Sequence, residues 1–77
     1  MPSDIDRFLQ TCSKKTILIK LKDNRVIRGN LHLFDDQMNL SLTDAEDITK
    51  NNEPLSLDNI ILRGSMITIV ATLDKSN

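Results

Sequence analysis

The stretch Arg25–Ala45 reads RVIRGNLHLFDDQMNLSLTDA. Two runs of alternating apolar and polar residues flank a polar centre, the pattern of two strands joined by a turn. Ile27, Leu31 and Leu33 fall on one face of the first run, with Gly29 among them, and Met38, Leu40 and Leu42 face inward on the second. A glycine inside a strand marks a sharp bend, as at the corner of a small barrel. The joining segment, FDDQMN (Phe34–Asn39), has two carboxylates, two side-chain amides and no glycine. That is more polar chemistry than a turn needs.

The same alternation extends outward. TILIKLK (Thr16–Lys22) reads as a half-buried strand with Ile17, Ile19 and Leu21 on one face, and Asp23-Asn24 as a tight turn into Arg25. Upstream, Ser3 as cap and the carboxylates of Asp4 and Asp6 suit a helix start. Ile5, Phe8, Leu9 and Cys12 recur at helical spacing, so a short helix over about residues 3–12 is expected to cover one end of the barrel. Downstream, Asp47–Pro54 is a polar loop with a proline stop. LSLDNIILRG leads into a fourth strand centred on Ile60–Leu62, Gly64-Ser65 turns the chain, and Met66–Leu73 is the fifth. The tail Asp74–Asn77 is expected to fray. The expected architecture is mainly β: one domain over residues 1–77, a short N-terminal helix and five sequentially paired strands in a strongly bent antiparallel barrel over about residues 16–73.

A chain of 77 residues buries a small core, which is only marginally stable alone. One cysteine, Cys12, cannot form an internal disulfide, and one histidine, His32, leaves no Cys/His zinc site. Association remains as the source of extra stability. Residues Ile60–Leu62 and Ile67–Val70 are apolar on both faces, and a small five-stranded barrel leaves an edge open. Such an edge invites another chain, and head-to-tail pairing that closes gives a ring.

Several function classes recede. The net charge of −1 offers no case for duplex DNA. Two phenylalanines, Phe8 and Phe34, are too few for an aromatic base-stacking sheet. No apolar run approaches the roughly 20 residues needed to cross a bilayer, and the start MPSDIDRF lacks a signal-peptide pattern. A soluble, cytoplasmic protein with no membrane contact is expected. Asp35 and Asp36 are adjacent and point differently, a poor acid/base pair, so no catalytic residue, enzyme activity, cofactor or metal is expected. His32 suits a surface or interface position, and Asp44–Asp47 (DAED) a solvated strand end.

LKDNRVIRGNLHLFDDQMNLSLTDAEDI (Leu21–Ile48) resembles the first Sm motif and IILRGSMITIV (Ile60–Val70) the second. Gly29, Asp35, Met38 and Asn39, followed at this separation by Leu62-Arg63-Gly64, carry the resemblance to the Sm/LSm family, most of all to its archaeal Sm-like proteins. It spans the chain from Thr16 to about Leu73. The resemblance implies rings of six or seven subunits, closed by the fourth strand of one copy pairing with the fifth of the next. It also implies binding of single-stranded, uridine-rich RNA around the central pore, in RNA processing, turnover or chaperoning. The DDQMN and RGS turns would line that pore.

The residues have the chemistry for it. A side-chain amide offers an acceptor and donors, so Asn39 can match the edge of uracil. Asp35 can fix the Asn39 amide or tie down nearby N–H groups. The guanidinium plane of Arg63 can stack on a base and attract phosphate, and Gly64 permits close approach and unusual dihedrals. Gln37 departs from the resemblance: many archaeal members carry histidine there, against the base, whereas an amide has no ring. Weaker binding per site is expected, offset by multivalency in the ring. Asp36 would face solvent or a neighbour. Lys14, Lys15, Lys20, Lys22, Arg25 and Arg28 form a solvated basic face that could touch RNA secondarily. Taken singly, Asn39 also suits a strand end, Asp35 an Asx turn and Arg63 an exposed edge. A structural or protein-interaction ring with little RNA binding is the alternative.

Overall fold

A computed structural model describes residues 4–50 and 53–73. Ser3 and the tail 74–77, expected to cap the helix and to fray, lie outside the described residues. Helix α1 spans Asp4–Cys12, followed by strands β1 (Thr16–Leu21), β2 (Val26–Phe34), β3 (Leu40–Asp47), β4 (Leu55–Leu62) and β5 (Ile67–Thr72). A single 3-10 turn, Gly64–Met66, precedes β5. None of the described helices is long and apolar enough to cross a membrane.

The helix places Leu9 and Cys12 in the core. It ends without glycine: Lys14 takes the left-handed conformation (φ 65°), and the Lys15 N–H closes onto the Cys12 carbonyl at 2.9 Å. Such a residue just past the last turn satisfies otherwise orphaned carbonyls. The apolar stripe is covered only in part, because Ile5 is 52% and Phe8 38% exposed.

Ile17, Ile19 and Leu21 of β1 are buried against Ile27 and Leu31 of β2 and Leu40 and Leu42 of β3. The β1–β2 turn is built as expected, with Asn24 left-handed (φ 72°) and the Asp23 carboxylate accepting the Arg25 N–H at 3.1 Å. At the bend, a Cβ on Gly29 would lie 3.2 Å from Ala45 Cα and Cβ and 3.3 Å from Leu42 Cδ1. Glycine there lets β2 and β3 fold tightly across one another. Register shifts accompany the bend, and Asp44 (φ 50°) and Asp58 (φ 60°) lie within them.

Three expectations change. Leu33 is not inward. Leu31 pairs with Leu42 but Leu33 with Ser41, so two residues of β2 oppose one of β3 and the alternation reverses. Leu33 is 61% exposed, while Phe34, opposite Leu40, packs on the core. Met38 packs against the core as expected but precedes β3, sitting half-buried in the turn with a left-handed backbone (φ 64°). DAED is no simple strand end: Ala45 is buried and Glu46 forms an ion pair with Arg28.

The pairing of the last strands differs as well. The sheet order is β4-β3-β2-β1-β5. β5 pairs with β1, not with its sequence neighbour β4: Ile19 opposes Val70 and Leu21 opposes Ile67. Arg63–Met66 is therefore no hairpin. It carries the chain across the barrel, where Ile67 and Val70 pack against the core. Both β4 and β5 remain edges.

Candidate nucleic-acid interface

The turn between β2 and β3 is organised by one carboxylate. Asp35 Oδ1 accepts the backbone N–H of Gln37 at 2.9 Å and of Asn39 at 3.0 Å. Its Oδ2 accepts from the Asn39 side-chain amide at 2.9 Å. Backbone bonds complete the turn, from the Met38 N–H to the Asp35 carbonyl at 3.1 Å and from the Asp35 N–H to the Asn39 carbonyl at 3.2 Å. The bond from the Asn39 side chain, then those from the Asn39 and Gln37 backbones, hold the Asp35 carboxyl below its ordinary value. Asp35 thus makes the Asx turn and also orients the amide, two readings the sequence offered as alternatives.

A second anchor comes from far along the chain. The backbone N–H of Gly64 donates to Asn39 Oδ1 at 2.8 Å, across 25 positions. The amide is pinned at both ends, oxygen toward Gly64 and nitrogen toward Asp35. By the donor and acceptor inventory of an amide, one N–H and one lone pair remain unused. Together they can complement an acceptor and a donor on one edge of a planar base.

Gly64 is tight against this turn. A Cβ there would lie 2.1 Å from the Gln37 carbonyl oxygen and 3.0 Å from the Met38 carbonyl carbon. Its φ is not positive, so the expectation of unusual dihedrals is not met. Close packing of the chain on itself is what requires glycine.

Arg63 directly precedes this contact. It is extended (φ −74°, ψ 132°) and exposed, and no described residue pairs with its guanidinium. Gln37 is exposed too. Gln37, Met38, Asn39, Arg63, Gly64 and Ser65 line an open depression of about 420 Å³. Four of the five residues singled out in sequence meet there, and Asp35 stands behind Asn39 as its support. Met38 and Ser65 also line it; the sequence placed both in the DDQMN and RGS turns but gave neither a role toward the base. No ring lines the depression.

Elsewhere the expected basic face is partly neutralised, Arg28 by Glu46 and Arg25 by Asp23 at 3.6 Å. At the far end of the barrel, Asp47 accepts the Thr49 N–H at 2.9 Å. Bonds from the Thr49 hydroxyl and backbone and the nearby Arg25 charge lower its carboxyl. His32 is exposed. Among the described residues no three His, Cys, Asp or Glu side chains are grouped to hold a metal.

This architecture is shared. An Sm-like protein of Archaeoglobus fulgidus is 33% identical over 70 residues, 91% of this chain and 90% of that protein. The P. aerophilum SmAP1 heptamer matches with a TM-score of 0.88 at 29% identity, covering 97% of this chain and all of that one. An Sm protein of Pyrococcus abyssii, in complex with a uridine heptamer, matches with a TM-score of 0.82 at 25% identity, covering 92% and 99%. The sequence profile of the LSM domain matches residues 7–72. With a bent five-stranded sheet open at β4 and β5, and its two turn motifs joined through Asn39 and Gly64, the chain belongs to the LSM-domain family.

Proposed function

We propose that copies of this chain associate head to tail into a ring of six or seven, and that the ring binds single-stranded, uridine-rich RNA in RNA processing, turnover or chaperoning. Asn39 reads the base, Asp35 orients Asn39, Arg63 and Gln37 lie against the base or its phosphate, and Gly64 holds the pocket closed from behind. The observation that carries this reading is the doubly anchored Asn39 amide beside an exposed guanidinium that no described residue pairs. One free donor and one free acceptor on a fixed plane suit the O4 and N3–H edge of uracil. The uridine heptamer held by the Pyrococcus abyssii relative supports the choice of ligand, and the heptamer of the P. aerophilum relative supports the ring. In this reading the chain is a binding module rather than an enzyme, and it acts in the cytoplasm.

Light scattering together with titration of labelled oligouridine and oligoadenine, at fixed salt, tests it. A ring that prefers oligouridine is expected. A stable monomer of 8.7 kDa at micromolar concentration overturns the ring. A ring that binds neither oligomer is a structural or protein-interaction assembly instead.

A further inference from the structure

One polar side chain of the depression has no task in the reading above. Ser65 lines it beside Arg63 and Gly64 and is exposed. Among the described residues nothing pairs with its hydroxyl. Its backbone is nevertheless fixed on both sides. Gly64, before it, donates to Asn39 Oδ1 at 2.8 Å. Met66, after it, donates to the Arg63 carbonyl at 2.9 Å and accepts the Lys22 N–H at 2.8 Å. A serine held in this way has a single heavy-atom rotor, so its hydroxyl oxygen has three staggered positions to choose from. Gln37, the other exposed polar residue without a charge, carries its amide on three rotors and reaches less definitely.

The orientation of Asn39 says what comes to lie near that hydroxyl. The amide oxygen is turned toward Gly64 and the nitrogen toward Asp35. Uracil paired with this edge gives its N3–H to the amide oxygen and accepts the amide N–H at O4. Round the ring from O4 past N3, the next groups are O2 and then N1, the atom that bears the ribose. The sugar side of the nucleotide therefore extends past the amide oxygen, along Gly64 toward Ser65. There uridine carries a group that deoxyuridine lacks, the 2′-hydroxyl, which both donates and accepts. A serine hydroxyl does the same, so the two can pair in either direction.

Resting on the base reading above, we propose that Ser65 is a specificity-determining residue, whose hydroxyl bonds the ribose 2′-hydroxyl and makes the pocket select RNA over DNA. Asn39 reads the base and Ser65 reads the sugar. Uracil and phosphate are common to uridine and deoxyuridine, so this choice needs a group of its own.

Fluorescence titration at fixed salt compares three oligomers of equal length, made of uridine, 2′-deoxyuridine and 2′-fluorouridine. The last keeps the ribose pucker without an O–H. The wild type is expected to bind oligouridine at least about three-fold more tightly than either of the others, roughly what one net hydrogen bond contributes. Ser65→Ala should bind all three alike, at the wild type's level for oligodeoxyuridine. Ser65→Thr, which keeps a hydroxyl, should keep the preference. Urea unfolding checks that the alanine variant is folded, and its midpoint should not move, because the hydroxyl is exposed and pairs with no described residue. Equal wild-type affinity for the uridine and fluorouridine oligomers overturns the proposal, as does a Ser65→Ala variant that retains the wild-type preference. In either case a chain that still binds oligouridine over oligoadenine leaves the functional reading standing, and only this inference falls. Binding to none of the three oligomers removes the base reading and this inference with it.

Discussion

Asn39 and Gly64 are joined by a 2.8 Å hydrogen bond from backbone N–H to side-chain carbonyl, across 25 positions of sequence. The bond ties the β2–β3 turn to the segment leading into β5. It gives one side chain a task in closing the fold, and under the proposed function a second in presenting an edge to a base.

Asn39→Ala should therefore fail on both counts. It removes the amide that would read the base and leaves the Gly64 N–H, part-buried, without its acceptor. The loss in stability is expected at about 1–3 kcal/mol, the usual penalty for such an unpaired group, measured by urea unfolding. Oligouridine affinity should fall by more than the unfolded fraction explains.

The two glycines should differ in sensitivity. Gly64→Ala puts a Cβ 2.1 Å from backbone oxygen of Gln37, which cannot yield without moving the turn. Gly29→Ala meets Ala45 and Leu42 at 3.2 to 3.3 Å, a milder overlap. Overpacking of this kind destabilises by about 1–3 kcal/mol, with Gly64→Ala expected at or above the top of that range and Gly29→Ala near the bottom. Thermal unfolding of the two variants side by side checks the order.

Arg63→Ala should separate binding from folding. The guanidinium is exposed and unpaired among the described residues, so the unfolding midpoint should stay within experimental error while oligouridine affinity drops. Gln37→His should act in the opposite direction. A ring against the base adds roughly 1–3 kcal/mol of stacking per base, and fluorescence titration should show tighter oligouridine binding. Unchanged affinity would count against the placement of the base beside residue 37.

Acid should loosen the turn through Asp35. Its carboxyl in the folded chain is held below the ordinary value of 3.8, chiefly by the Asn39 side-chain bond. The unfolded chain thus takes up the proton first, so the stabilisation is whole above the ordinary value. It is lost as pH falls through the lower folded one. Asp35→Asn should be less stable than wild type at neutral pH, and the gap should narrow below about pH 4. Asp47, lowered by Thr49, acts in the same acidic window at the far end of the barrel. Asp47→Asn is the control that leaves oligouridine affinity unchanged.

Much of this was legible along the chain because it is local. Period-two alternation placed β1 and most of β2, Gly29 announced the bend, and Asp23-Asn24 formed the turn their chemistry suggests. Asp35 and Asn39 are four residues apart, so their contact could be anticipated. Leu33 could not, because one extra residue in β2 reverses the alternation and no residue type marks that position. Nor could the partner of β5. Gly64-Ser65 reads as a hairpin, and only the packing of Ile67 and Val70 onto the core sends the strand to β1. Gly64 stood out as a glycine, but what it touches lies 25 residues upstream.

The two margins of the sheet, β4 and β5, belong to one continuous body. A head-to-tail joint repeats one rotation, and the circle closes only when a whole number of rotations completes it. Seven copies require about 51° at each joint and six about 60°. Between those margins lie the crossing at Gly29 and the irregular register near Asp44 and Asp58, all inside one chain. In the proposed ring, subunit number would follow from curvature within a single chain as well as from the contact between copies.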